Sequence, residues 1–260
     1  MSQIDPYPPG TFCWVDLATR DTDSARGFYT GLFGWAAVDL PTDQGVPYTM
    51  LRQDDADICA LYPLPPNMGG RSSWNAYVAV ADVDACLASA IDLGAQVLMP
   101  AMDVMKAGRM AVVQDPTGAT LSLWQGREHK GAGGNNRPGA MCWVELQTED
   151  MALAAQFYGD LFGWTTRTSE SVKDRRYELF VHGEHEVGGM LEIAPDWGPV
   201  PPNWAVYFCV EDCDATLAEA RRFGGKALVP AMEIANVGRF AFLQDPQGAV
   251  FAVIQLAHPG

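Results

Sequence analysis

The sequence predicts an α+β protein: four β-α-β-β-β modules, paired into two domains with curved mixed sheets. Three observations predict it. The chain repeats itself: Cys13-Trp14-Val15-Asp16-Leu17, Phe28-Tyr29 and Leu32-Phe33-Gly34-Trp35 return 129 residues later as Cys142-Trp143-Val144-Glu145-Leu146, Phe157-Tyr158 and Leu161-Phe162-Gly163-Trp164. Trp74, Tyr77, Asp82 and Asp84 return at an offset of 130, as do Gly108-Arg109 and Gln114-Asp115-Pro116. Each copy then divides into halves with the same order of elements. A single half would leave one sheet face partly bare, so halves must pair to bury it. Self-similarity this long makes each copy a folding unit. The expected domains are residues 8–126 and 139–257, with 127–138 as a linker.

The elements follow in order. Trp14-Val15-Asp16-Leu17-Ala18 reads as a strand and Asp21 as a helix N-cap. Ala25, Phe28, Tyr29 and Leu32 fall at i, i+3, i+4 and i+7, one face of a helix that stops at Gly34. Strands are expected around 47–52 and 57–62. In the next half, a strand through Tyr77-Val78-Ala79-Val80 leads to Asp82, which caps a helix carrying Ala85, Ala88 and Leu93 and ending at Gly94. Strands at 96–99, 109–114 and 119–124 complete the copy. Residues 126–139 are polar and glycine-rich and read as a flexible linker.

Hydrophobic residues make up 48% of the chain and charged residues 19%, enough apolar mass for two cores. A net charge of −15 excludes sequence-independent nucleic-acid binding, which needs a basic footprint, and disfavours anionic membranes. There is no basic leader followed by an apolar stretch and no run of 18 apolar residues, so a cytoplasmic protein is expected. The six cysteines form no CxxC, and only Cys13 and Cys142 match between copies; reduced thiols are expected.

The opening strand, Asp21, Phe28-Tyr29, Leu32-Phe33-Gly34-Trp35 and Asp115-Pro116-Thr117-Gly118, with their second-copy counterparts, resemble the vicinal oxygen chelate superfamily. That superfamily contains glyoxalase I, bleomycin-resistance proteins and extradiol dioxygenases. The similarity is greatest to two-domain glyoxalase-like members, some of them labelled hydroxylases. The resemblance implies curved sheets around clefts in which a divalent metal, held by His, Glu or Gln, chelates neighbouring oxygens of a substrate. The positions it assigns to ligands carry Trp14, Asn75 and Ser122 in the first copy and Trp143, Ala205 and Ala252 in the second. Indole offers only an N–H donor and alanine nothing, so no metal and no other cofactor is expected. His182-Gly183-Glu184-His185-Glu186 has a metal-like composition but reads as a hairpin turn.

The resemblance makes the Trp14 face of the opening strand the cleft face. A period of two then selects Trp14, Asp16 and Ala18, with Cys13, Val15 and Leu17 opposite. The same parity selects Asn75 and Tyr77, Ser122 and Trp124, Trp143, Glu145 and Gln147, Tyr207 and Cys209, and Ala252 and Ile254. The expected ligand-binding residues are therefore Trp14, Asp16, Asn75, Tyr77, Ser122, Trp124, Trp143, Glu145 and Tyr207. An indole and a tyrosine beside one carboxylate suit a flat or apolar small molecule bearing a hydrogen-bond donor or a positive charge. Asp16 and Glu145 are candidate general bases, or else structural acceptors. Arg109 and Arg239 either answer those carboxylates, bind an anionic ligand, or face solvent. Met102 and Met232 are expected in the core or at a pocket lip.

Three functions stay open: a metal-free small-molecule-binding protein, with or without an enzymatic reaction; a metal-dependent lyase or oxygenase with unconventional ligands; and an interaction module with closed clefts. The chain can be a monomer or a homodimer. The first copy keeps more polar cleft groups and is the first place to look.

Overall fold

The computed structural model describes residues 6–43, 45–64, 70–134, 137–172 and 175–258. The first copy contains β1 (Phe12–Thr19), α1 (Thr22–Phe33), β2 (Ala36–Leu40), β3 (Tyr48–Gln53), β4 (Ala56–Pro63), β5 (Ser73–Ala79), α2 (Val83–Asp92), β6 (Gln96–Val104), β7 (Gly108–Gln114) and β8 (Thr120–Gly126). The second contains β9 (Met141–Thr148), α3 (Met151–Phe162), β10 (Thr165–Thr168), β11 (Tyr177–His182), β12 (His185–Glu192), β13 (Asn203–Cys209), α4 (Cys213–Arg222), β14 (Lys226–Ile234), β15 (Gly238–Gln244) and β16 (Val250–Leu256). The α+β class and the four modules are as the sequence predicts. The short edge strand β2 had no sequence signal of its own, because its residues are mostly exposed.

Each copy builds its own eight-stranded sheet, in the orders β2-β3-β4-β1-β5-β8-β7-β6 and β10-β11-β12-β9-β13-β16-β15-β14. Neighbouring modules join through antiparallel β1–β5 and β9–β13, while β1–β4 and β5–β8 run parallel. The helices start and stop where the sequence places them. Asp21 accepts from the Ser24 N–H, and Gly34 closes α1 at φ 70°, a left-handed turn that glycine adopts without a Cβ clash.

The helical faces of the two sheets meet in one core that draws on both copies. Here the repeated motifs find their use. Tyr29 of α1 crosses to the other copy and donates to Asp245 Oδ2 at 3.0 Å, while the Trp74 indole donates to the Tyr29 hydroxyl at 3.0 Å. The mirror arrangement has Tyr158 donating to Asp115 Oδ2 at 2.6 Å and Trp204 donating to Tyr158 at 2.9 Å. The other oxygen of each aspartate closes its own turn, accepting the Thr117 and Ala119 or the Gln247 and Ala249 amides. Trp35 donates to the Gly139 carbonyl and Trp164 to that of Gly10. Asp-Pro-x-Gly and Phe-Tyr are thus parts of one clasp, made twice. Among the described residues no helix is long and apolar enough to cross a membrane.

Candidate functional site

The concave faces of the two sheets are built from the same parts. Near the start of β1 a bulge between Phe12 and Trp14 shifts the pairing with β5. That extra residue breaks strict alternation. Val15 and Leu17 face the helical core as expected, but Cys13 is turned to the cleft side with Trp14 and Tyr77, against the parity expectation.

In the first cleft Asp16 is 1% exposed. It accepts from Asn75 Nδ2 at 2.9 Å, the Tyr77 hydroxyl at 2.7 Å and the Tyr48 hydroxyl at 3.0 Å. The Trp14 indole donates to Tyr48 at 3.0 Å, and Asn75 also donates to Tyr62 at 3.2 Å. Burial pushes the Asp16 carboxyl up to about 6, against the opposing pull of Asn75, Tyr77 and Tyr48. Ser122 lies beside Tyr77 in register, and Trp124 beside Ala79.

The second cleft repeats the chain of contacts with different spacing. Glu145 is buried and accepts from Tyr207 at 3.1 Å and Gln147 at 3.1 Å, and Tyr177 hydrogen-bonds it as well. The Trp143 indole donates to Tyr177 at 2.9 Å. Burial raises the Glu145 carboxyl, opposed by Gln147, Tyr177 and Tyr207. The Tyr177 hydroxyl lies over Gly189, where an added Cβ would sit 1.9 Å from it. The first copy has Ala60 at that position. Each cleft therefore holds a buried carboxylate that accepts from two tyrosines, one of which in turn accepts from an indole.

Access differs between the two. The segment expected to be a flexible linker is instead laid across the first cleft. Trp124 donates to the His129 carbonyl at 3.1 Å, Ala132 N–H bonds the Cys13 carbonyl at 2.8 Å, and Gly133 N–H bonds that of Asp57 at 2.7 Å. The His129 ring meets Trp14 edge-on at 4.4 Å between centroids, and Trp124 at 5.9 Å. Its Nε2 is buried without a partner, and burial holds the ring below its ordinary pKa. Asn135 and Asn136 lie outside the described residues. No such strap crosses the second cleft among the described residues. Trp143 is half-buried there where Trp14 is buried, and Phe240 and Phe242 are half-buried beside it. Ile254 stands where the first copy has Trp124, and Phe240 and Phe242 where it has Met110 and Val112.

The remaining expectations resolve plainly. Arg109 grips Asp84 through two bonds of 2.8 Å and also Asp103, and Arg239 grips Asp214. Both arginines serve the surface and neither answers a cleft carboxylate. His182 and His185 face each other across a hairpin, with Gly183 in its turn. Met102 and Met232 are exposed rather than in the core, and pair in register with Met110 and Phe240. Two surface depressions are lined by residues other than Asp16 and Glu145. The larger, about 260 Å³, is lined by Arg175, Arg176 and residues 191–195. It borders the second cleft, since Leu191 pairs with both Tyr177 and Gln147.

Sequence reasoning brought together Trp14, Asp16, Asn75, Tyr77, Ser122 and Trp124, and likewise Trp143, Glu145 and Tyr207. It missed Tyr48, Tyr62, Tyr177 and His129. Tyr48 and Tyr177 keep the 129-residue offset and open matching strands, a signal that was present. Tyr62 and His129 have no counterpart of their own type, so repetition could not flag them.

The model of the Glyoxalase/Bleomycin resistance protein/Dioxygenase superfamily matches residues 11–123 and again 141–253. The chain belongs to that superfamily. CFP32 of Mycobacterium bovis, provisionally named a glyoxylase, is 42% identical over 260 residues, 99% of each chain. The anthracycline biosynthesis protein DnrV of Streptomyces peucetius is 34% identical over 265 residues, covering 96% of this chain and 94% of that one. Among solved structures, the Mn(II)-bound glyoxalase of Novosphingobium aromaticivorans superposes with a TM-score of 0.65 at 16% identity, over 95% of this chain and 82% of that one. The 2,3-dioxygenase LapB of Pseudomonas sp. KL28 does so at 0.64 and 14%, over 96% and 93%.

The positions that the resemblance assigns to metal ligands hold residues other than the His, Glu or Gln it implies. Trp14, Asn75 and Ser122 line one cleft floor, and Trp143, Ala205 and Ala252 the other. The nearby carboxylates, Asp16 and Glu145, are each surrounded by neutral hydrogen-bond donors, Asn75, Tyr77 and Tyr48 in one cleft and Gln147, Tyr177 and Tyr207 in the other. Among the described residues no group of three or more His, Cys, Asp or Glu side chains is placed to hold an ion.

Proposed function

We propose that the protein binds a flat, largely apolar small molecule in its second cleft, without a metal, using Glu145 as the polar anchor. The observation that carries this reading is the pairing of a buried carboxylate with a half-buried aromatic wall of Trp143, Phe240 and Phe242. Aromatic walls favour planar ligands through stacking and edge contacts. A buried carboxylate selects a ligand that donates a hydrogen bond, because an apolar analogue leaves the acceptor less well served. A relative named for anthracycline biosynthesis supports a polycyclic aromatic class.

A separate observation favours a closed first cleft: His129 fills the space against Trp14 and Trp124. There the strap stands in for a ligand, and the Asp16 network serves stability. The lyase and oxygenase chemistry of the wider superfamily is not assigned, because the donors do not suit its metal.

The test is a tryptophan-fluorescence titration with 2-hydroxyanthraquinone and with unsubstituted anthraquinone, both in excess chelator. The hydroxylated probe should quench saturably and bind about tenfold tighter, the worth of roughly one hydrogen bond to a buried acceptor. Equal affinity for the two probes, or binding that appears only on adding Mn(II), would overturn the reading.

A further inference from the structure

The floor of the second cleft runs on into a depression that the first copy fills. On β12, Gly189 lies under the Tyr177 hydroxyl, and Leu191, two residues along the strand, shares its face. Leu191 pairs with Gln147 of β9 on one side and with Tyr177 on the other. The space of about 260 Å³ beside it is lined by residues 191–195 together with Arg175 and Arg176. At the 129-residue offset, Arg175, Arg176, Leu191 and Glu192 answer to Val46, Pro47, Tyr62 and Pro63. Tyr62 stacks on Tyr48 at 6.0 Å between centroids and accepts from Asn75 in the first cleft. Leucine is smaller and takes no hydrogen bond, so the second copy keeps the space open. Three of the four positions carry charge in the second copy alone.

We propose that this depression is a subsite for a sugar ring, and that the ligand is a glycoside of a planar aromatic; this rests on the second cleft being the site of the aromatic body. The Arg175 guanidinium lies over the Trp197 ring at 5.0 Å, and Arg176 donates to Glu178 at 2.9 Å. Among the described residues no ion pair uses Arg175 or Glu192. The lining therefore offers guanidinium donors and a carboxylate acceptor side by side. An anionic substituent would confront Glu192, and a cationic one the two arginines. A neutral group with several hydroxyls answers both, because each hydroxyl donates and accepts. Size agrees with that choice. Pockets for whole drug-sized ligands measure roughly 300–1,000 Å³, so this space takes one appended ring and not the planar body. The sugar passes Leu191, accepts from Arg175 and donates to Glu192.

The test is equilibrium dialysis of the full-length protein, in excess chelator, against emodin, emodin 8-O-glucoside and the anthraquinone carboxylate rhein. The glucoside should bind about tenfold tighter than emodin, the worth of roughly one added hydrogen bond to a charged group. That preference should fall toward equality in Arg175→Ala and in Leu191→Tyr, which sets the first copy's residue in the opening. Equal or weaker binding of the glucoside in the wild type overturns the sugar subsite and leaves the aromatic site standing. Rhein binding tighter than the glucoside, or a preference unchanged in Arg175→Ala, overturns it as well. If none of the three probes binds, the aromatic reading falls and the subsite with it. The wild-type comparison decides the matter even where a variant fails to fold.

Discussion

The two copies are alike where they touch each other and unlike where they face solvent. At their junction, Tyr29, Trp74 and Asp245 answer Tyr158, Trp204 and Asp115, partner for partner. On the concave faces, Asp16 with three donors and a roof is set against Glu145 with a different donor set and no roof. The difference teaches which part of a duplicated sequence is held by structure. A clasp made by exchange between copies constrains both partners together. A cleft is constrained only by its own contents, so it drifts alone.

The comparison can be broken in several ways. The largest effect is expected at the clasp: Asp115→Ala and Asp245→Ala each remove a turn acceptor and leave the O–H donor of a buried tyrosine without its acceptor. Each should cost about 3 kcal/mol, equally, in chemical denaturation. Unequal losses would show that the junction is not the symmetric element. Next is the pH dependence of the first cleft. The Asp16 carboxyl titrates near 6 in the fold against an ordinary 3.8, so the native state holds the proton more tightly. Its stabilisation is complete below about pH 4 and is lost as the pH rises through about 6, a change of about 3 kcal/mol. The stability difference between wild type and Asp16→Asn should follow that window, whereas a flat difference would remove the buried-acid reading. A smaller effect, about 1–2 kcal/mol, is expected for Gly189→Ala, which drives Tyr177 off Trp143 and Glu145. The matching Ala60→Gly should leave the first cleft network in place.

Much of this fold was legible because the sequence states it twice. The caps at Asp21 and Asp82, the stops at Gly34 and Gly163 and the Asp-Pro turns are local signals, and they hold locally. The site was legible only as far as strand parity reached. Parity failed at Cys13 because a bulge adds a residue that no composition announces. Tyr48 and Tyr177 needed the pairing of β3 and β11 to be known before they could be aimed at a carboxylate. The strap was hidden for a different reason: its order comes from backbone bonds at His129, Ala132 and Gly133 to distant partners, while its side chains read as a tether. The clasp, too, needed the fold, since Tyr29 on its helical face reads as core of its own copy.

The central claim is that the second cleft, and not the first, admits the ligand. The measurement that tests it most directly is the 2-hydroxyanthraquinone titration of Trp143→Phe beside Trp14→Phe, in excess chelator. The account predicts that the quenching signal is lost with Trp143 and kept with Trp14. Loss with Trp14 and retention with Trp143 would contradict it.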